Sequence, residues 1–157
     1  QGTMNNFLFG NNKYSYYETI GGGTGATKNK KGRSAVHQHM TNTKITDPEE
    51  LEFRYPVILE KFEIRKNSGG KGLNNGGDGI TRQLQFLQPM TATILAQHRT
   101  IAPYGMNNGA AGACGNQFLI SSKKKIKLQA NTNVKVEAGD RILINTPGGG
   151  GWGKKLN

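Results

Sequence analysis

Two histidines one residue apart are the first candidates for chemistry in this sequence. His37 and His39 lie in a polar stretch that covers residues 34–43. In a β-strand, side chains two positions apart project from the same face, so both imidazoles would point at one site. Imidazole binds metal ions and transfers protons near neutral pH. The spacing therefore indicates a metal site or a proton-transfer site.

A catalytic metal site would need further ligands, because such sites usually have three protein ligands. The chain contains three histidines, and Asp47 is the nearest carboxylate downstream of His39. Glu18 is a candidate for the third ligand. The alternative is that His37 and His39 hydrogen-bond to the loop backbone and position their neighbours. The residues alone leave the metal, catalytic and structural roles open.

Hydroxyl and amide groups follow the histidines directly. Thr41, Asn42 and Thr43 could hydrogen-bond to a carboxylate or carbonyl oxygen of a substrate. The same residue types also stabilise turns through bonds to the nearby backbone. We therefore expect either substrate binding or turn formation here, with Thr41 and Asn42 as the candidate contacts.

Arg82 is an arginine on an otherwise apolar face of a predicted strand. The face alternates with polar residues and consists of Ile80, Arg82, Leu84 and Phe86. A guanidinium can bind a substrate carboxylate through two parallel hydrogen bonds, and Arg54 and Arg99 are further candidates. The alternative for Arg82 is a structural ion pair, for which we expect Asp78 or Glu63 as the partner.

Three other features have simple structural explanations. Asp78 lies between two glycines, where an Asp more often forms a turn than acts as a base. The glycine runs 21–25 and 148–151 lack the Gly-Lys-Ser/Thr ending of a phosphate-binding loop. They predict tight turns and close backbone contacts instead. Cys114 is the single cysteine, so it forms no internal disulfide, and we expect an ordinary thiol.

The elements that must position these residues are mostly short strands. Residues 3–9 and 14–20 flank a turn sequence and predict a hairpin. Asp47, Pro48 and two glutamates predict a helix start, and Tyr55-Pro56 limits that helix to about two turns. Further strands are predicted near residues 57–64, 80–86, 90–96, 117–121, 125–129, 134–136 and 140–145. The pattern predicts a mostly antiparallel β-sandwich or distorted barrel, with one short helix and long glycine-rich loops.

Charge and hydropathy exclude some function classes. The net charge is +11, and residues 79–157 carry 10 basic and 2 acidic residues. Aromatic residues do not alternate with the basic run at residues 123–125, as a stacking platform for single-stranded nucleic acid would require. No apolar run approaches the roughly 18 residues of a membrane span, and no signal peptide is visible. We therefore expect a cytoplasmic protein that binds neither nucleic acid nor a membrane.

Four ordered blocks of sequence resemble the C-terminal region of the hydantoinase B/5-oxoprolinase family. They cover residues 3–7 with 16–26, residues 32–43 with 46–49 and 52–56, residues 64–65 with 68–72 and 76–79, and residues 146–153. The string HQHMTNT at residues 37–43 is uncommon, which makes the match more specific than a glycine run alone. The blocks follow the family's order along essentially the whole chain.

The resemblance implies a reaction class. In 5-oxoprolinase a cyclic amide is opened in an ATP-dependent way; the A-type part binds ATP and the B-type part completes hydrolysis. The related acetone and acetophenone carboxylases use similar B-type subunits. The histidine and aspartate metal ligands of some relatives belong to earlier sequence than this chain resembles. ATP and a divalent metal are therefore expected in the complete enzyme, and no cofactor within this chain.

The resemblance also implies partners. Residues 1–157 would form a single β-rich domain, the C-terminal fragment of a larger B-type chain. Its partners would be the rest of that chain, a hydantoinase A-like subunit and a small-molecule substrate. We expect His37, His39, Asn42 and Glu18 as catalytic candidates, and Thr41 and Arg82 as substrate-binding candidates. The alternative is a domain that only assembles this complex, or that of a related ketone carboxylase.

Overall fold

The computed structural model describes residues 1–39 and 41–154. These residues contain nine strands and one helix. In chain order they are β1 (Asn5–Gly10), β2 (Ser15–Ile20), α1 (Pro48–Arg54), β3 (Val57–Arg65), β4 (Gly79–Phe86), β5 (Met90–Leu95), β6 (Asn116–Ile120), β7 (Lys125–Leu128), β8 (Asn131–Val136) and β9 (Arg141–Asn145). The predicted content of short strands with one brief helix is confirmed.

The strands form two antiparallel sheets. One has the order β2-β1-β5-β8, and the other has the order β3-β4-β9-β6-β7. The predicted hairpin is β1 and β2, which pair from Asn5 opposite Ile20 to Gly10 opposite Ser15. Neither sheet closes on itself, so the fold is a sandwich rather than a barrel.

The core lies between the two sheets. Strand β4 contributes Ile80, Arg82, Leu84 and Phe86, all at most 4% exposed, as its alternation predicted. The other sheet contributes the buried side chains of Phe7 and Phe9 from β1 and of Ile94 from β5. One aromatic contact across the core is edge-on, with the ring centroids of Phe9 and Phe86 5.4 Å apart.

Helix α1 packs beside β3 at one margin of the core. The carboxylate of Asp47 accepts a hydrogen bond from the Glu49 backbone N–H at 3.0 Å, so Asp47 is the N-cap that the sequence predicts. The helix ends at Arg54, just before Tyr55-Pro56. Its single buried residue, Leu51, anchors the helix to the core.

Removing the cap should weaken this end of the fold. We expect Asp47→Ala to lower the free energy of unfolding by about 1 kcal/mol, because one N-terminal N–H of α1 loses its acceptor. Urea unfolding followed by circular dichroism measures the change. Asp47→Ser keeps a capping oxygen and should stay close to the wild type; an equal loss in both variants would contradict the capping role.

Glycine-rich segments pack against each other, backbone to backbone, beside the sheets. Gly77 donates its N–H to the Thr24 carbonyl at 2.9 Å, and Gly149 donates to Gly77 at 2.9 Å. A Cβ at Gly149 would lie 1.9 Å from the Thr24 oxygen. Among the described glycines only Gly2, Gly139 and Gly153 have positive φ. The predicted close backbone contacts are thus confirmed and are the main reason for glycine in these segments. Few of the described glycines are required by a left-handed backbone.

No helix within residues 1–39 and 41–154 is long and apolar enough to cross a membrane.

Candidate functional site

The histidine-containing segment, residues 37–46, is tied to the sandwich at its start. Gly22 and Val36 form an antiparallel bridge in which the Val36 N–H donates to Gly22 at 2.9 Å and the Gly22 N–H donates back at 3.1 Å. The Gln38 amide donates to the Gly23 carbonyl at 3.2 Å. The segment therefore begins at a fixed place, just beyond the end of β2.

The two histidines have different surroundings. His37 is half-buried, and its Nδ1 lies 2.9 Å from the Thr41 hydroxyl oxygen. His39 is exposed and lies in a turn. Neither His37 nor His39 lies in a strand, so the condition under which both rings would share one face is not met. The antiparallel pairing with Gly22 is a single bridge at Val36 and does not continue to His37.

The residues that follow present polar groups at the surface. Asn42 is exposed, and Thr41 is half-buried because its hydroxyl contacts His37. The Thr41 backbone N–H also donates to the Gln38 carbonyl at 3.0 Å, a local backbone bond of the kind that the turn-forming alternative expects. The amide of Asn42 is accessible to a ligand or to another part of a larger protein.

Glu18 and Arg82 form a buried ion pair across the sandwich. Arg82 Nε donates to Glu18 Oε1 at 2.6 Å, and Nη2 donates to Oε2 at 2.8 Å. Their side chains are 1% and 3% exposed, for Arg82 and Glu18 respectively. The expected pairing of Arg82 with Asp78 or Glu63 is therefore wrong. Asp78 instead accepts the Gly69 N–H at 2.7 Å, a bond that joins two glycine-rich stretches nine residues apart.

Tyr16 completes this buried group. Its hydroxyl donates to Glu18 Oε2 at 2.9 Å. Burial, followed by the nearby Glu18 carboxylate, raises the pKa of Tyr16 to about 12, while a hydrogen bond with Thr46 acts in the opposite direction. The phenol stays protonated at neutral pH and can remain a donor to Glu18.

Sequence reasoning missed Tyr16, although a signal was present. Tyr16 and Glu18 are two residues apart in a predicted strand, so their side chains share one face. That face is the core side of β2, where a carboxylate needs hydrogen-bond donors. The phenol of Tyr16 supplies one donor and Arg82 supplies two.

The described part of the chain does not supply a complete set of ligands for a metal ion. No group of three or more His, Cys, Asp or Glu side chains within it could hold a metal. Glu18, the candidate third ligand, already accepts three hydrogen bonds from Arg82 and Tyr16. A metal at His37 or His39 would need ligands from outside these residues.

The other candidate arginines make structural contacts. Arg99 donates to the side chains of Gln117 at 2.6 Å and Asn5 at 3.1 Å. Burial, and then the neighbouring Arg65 guanidinium, lower the pKa of Arg99 to about 10. Arg54 forms an exposed ion pair with Glu50 one turn earlier in α1. Substrate binding by either arginine stays a prediction.

Comparison with known proteins supports one family. The family model described as "Hydantoinase B/oxoprolinase" matches residues 1–155. 5-Oxoprolinase 1 of Arabidopsis thaliana is 49% identical over 157 residues, and the match covers 99% of this chain. It covers 12% of that protein, so the chain spans about an eighth of this relative's length.

Two solved structures share the fold. The ATP-dependent caprolactamase from Pseudomonas jessenii superposes with a TM-score of 0.73 at 22% identity, covering 95% of this chain and 28% of the other. Acetone carboxylase in a nucleotide-free structure gives a TM-score of 0.74 at 18% identity, covering 97% and 25%. At these identities the likeness establishes the β-sandwich.

Proposed function

Since the chain belongs to the hydantoinase B/oxoprolinase family, we propose that it is one part of a larger ATP-dependent hydrolase of cyclic amides. Residues 37–42 face the active site of that enzyme. The similarity to 5-oxoprolinase 1 of Arabidopsis thaliana supports this reaction class. The chain covers only 12% of that relative, which supports a larger protein or complex. Its partners there would be the rest of a B-type chain and an A-like part.

The observation that carries the proposal is the contact between His37 and Thr41. With Nδ1 of His37 held 2.9 Å from a hydroxyl, the second ring nitrogen, Nε2, is left to exchange a proton with a substrate. A histidine oriented by a second group is a common arrangement for general acid–base catalysis. His39 and Asn42 are exposed on the same short segment and can contact the substrate or a neighbouring part of the enzyme.

Glu18, Arg82 and Tyr16 act as positioning residues in this proposal. Glu18 and Arg82 are buried and satisfy each other's charges, so a substrate carboxylate could reach Arg82 only if the pair separated. Their effect on the site is indirect: Glu18 lies on β2, and the chain just beyond β2 forms the Gly22–Val36 bridge at which the histidine segment begins.

ATP and a divalent metal belong elsewhere in the proposed enzyme. The caprolactamase and acetone carboxylase with this fold are both described as ATP-dependent. In this chain, however, the glycine runs are used for backbone contacts, and the described residues lack a complete metal-ligand set. We therefore assign nucleotide binding to the A-like part and derive no step through a metal in this chain.

Mutation of His37 in the complete assembly tests the proposal. We expect His37→Asn to lower kcat for ATP-dependent ring opening by about 100-fold, the loss of one acid–base group. The matched control is His98→Asn, because His98 bonds to the Ile101 carbonyl in a different loop. Its turnover should stay near the wild type. Assembly is checked by size-exclusion chromatography.

The competing proposal is that the chain only assembles the complex. It is favoured by the exposed apolar side chains on β3, which have no obvious use in an isolated domain. Under this alternative, His37→Asn would leave turnover unchanged while the complex still forms. That result would overturn the catalytic role of residues 37–42.

A further inference from the structure

The five-stranded sheet extends beyond the four-stranded sheet by one strand. Glu18 lies on β2, the edge strand of the smaller sheet, and its partner Arg82 lies on β4. The last strand of the smaller sheet therefore faces β4. Strand β3 lies one position further out, so no strand of the smaller sheet is placed to cover it.

The side chains on the core-side face of β3 become more exposed from the start of the strand to its end. Its residues pair with the buried face of β4: Val57 with Phe86, Leu59 with Leu84, Phe62 with Arg82 and Ile64 with Ile80. Val57, which is near α1, is 1% exposed, whereas Phe62 and Ile64 are 45% and 49% exposed. We call Phe62 and Ile64, together with the free edge of β3, the overhang.

The overhang differs from the other edge of the same sheet in the exposure of its core-side residues. Strand β7 alternates exposed Lys125 and Lys127 with Ile126 and Leu128, and these two apolar residues are half-buried. On β3 the charged Lys61 and Glu63 likewise alternate with the overhang residues, but the apolar Phe62 and Ile64 are 45% and 49% exposed. Two adjacent apolar side chains on a face that forms the core elsewhere indicate a contact surface.

We propose that the overhang is the docking surface for an extended, apolar segment from the remainder of the larger protein. The segment adds to the free edge of β3 as a further strand and packs on Phe62 and Ile64. Pairing with a sheet edge supplies main-chain hydrogen bonds, and the apolar side chains supply specificity. The proposal rests on the proposed function, in which this chain is part of a larger enzyme.

The length of the relatives argues for this occupant. About seven-eighths of 5-oxoprolinase 1 lies outside the region that this chain matches. Docking at β3 would also place the new strand beside the positioning residues. The Phe62 ring lies 5.0 Å from the Arg82 guanidinium, whose other side binds Glu18. The occupant would thus pack on the Phe62 ring, which itself lies against the buried ion pair.

Thiol labelling of introduced cysteines tests the docking surface. Phe62→Cys and Ile64→Cys are made singly, in this chain alone and in the complete enzyme, and maleimide labelling is followed by peptide mass spectrometry. We expect labelling in the complete enzyme to be slower by about tenfold or more than in the chain alone. The matched control is Lys127→Cys on the opposite edge, which should label at similar rates in both.

Each outcome decides the proposal. Equal labelling rates at residue 62 or 64 in both samples would overturn it. Protection already in the chain alone, together with the mass of a dimer, would identify a second copy as the occupant and would also overturn it. The assay needs no turnover, so a failure of the docking surface is separable from a failure of the proposed activity, which the His37 variant tests.

Discussion

Glu18→Gln is expected to lower the free energy of unfolding by about 3–5 kcal/mol, because it leaves a buried charge without its counter-charge. The guanidinium of Arg82 is 1% exposed and has both hydrogen bonds of its ion pair directed at Glu18. Total stabilities of domains are commonly about 5–15 kcal/mol, so the variant would lose a large share. Urea unfolding followed by circular dichroism measures the loss.

An exposed ion pair provides the matched control. Glu50 and Arg54 pair on the surface of α1 with side chains 46% and 65% exposed. Glu50→Gln should cost at most about 0.5 kcal/mol, the usual value for a helical surface pair. If Glu18→Gln were as mild as Glu50→Gln, the buried pair would not be the structural link between the sheets that we describe.

Removing both charges distinguishes a charge effect from lost packing. In a Glu18→Met, Arg82→Met double variant no unpaired charge remains, and buried pairs replaced by apolar side chains are often close to neutral. We expect the double variant to be more stable than Glu18→Met alone. A double variant as unstable as that single one would show that shape, and not charge, dominates at this position.

Gly23→Ala is expected to destabilise the fold by about 3 kcal/mol, the upper part of the usual range for overpacking. A Cβ at Gly23 would lie 1.9 Å from the Gly77 carbonyl oxygen and 2.6 Å from the Gly149 nitrogen. Both are backbone atoms, so relief would require one glycine segment to move. Such movement would break the hydrogen bonds between the segments, including that from Gly149 to Gly77.

The same loop contains a matched control for this prediction. Gly25 is exposed, and an added Cβ would have its nearest contact 3.9 Å away, at the Gly150 oxygen. Gly25→Ala should be neutral or stabilising by roughly 0.4–1 kcal/mol, because alanine restricts the unfolded chain. Thermal unfolding of the two variants compares them. Similar melting temperatures would contradict the view that the segments pack through their glycine backbones.

Local structure could be predicted from the sequence where the residues that determine an element all lie within that element or next to it. The alternation in β4, the hairpin of β1 and β2, and the helix from Asp47 to Tyr55 each depend on a few neighbouring residues. The strand order could not be predicted, because pairs such as β1 with β5 join residues more than 80 positions apart. Their register depends on packing between the sheets and not on local pattern.

The candidate site shows the same division. The position of Arg82 on an apolar face was predicted, but its partner was not, because Glu18 precedes it by 64 residues and lies on the other sheet. Nearby Asp78 was a natural choice from sequence alone, yet its carboxylate accepts the backbone N–H of Gly69. The strand condition for His37 and His39 is not met, because the bridge at Val36 does not continue into a strand and His39 lies in a turn.

ATP-dependent ring opening of 5-oxoproline and hydantoins tests most directly whether this chain is one part of a larger hydrolase. The assay compares the complete assembly with the 157-residue chain alone, and follows formation of the ring-opened product with and without ATP. We predict turnover by the complete assembly with ATP, and none by the chain alone. Hydrolysis by the chain alone would contradict the account, because it would place the full catalytic machinery within these residues.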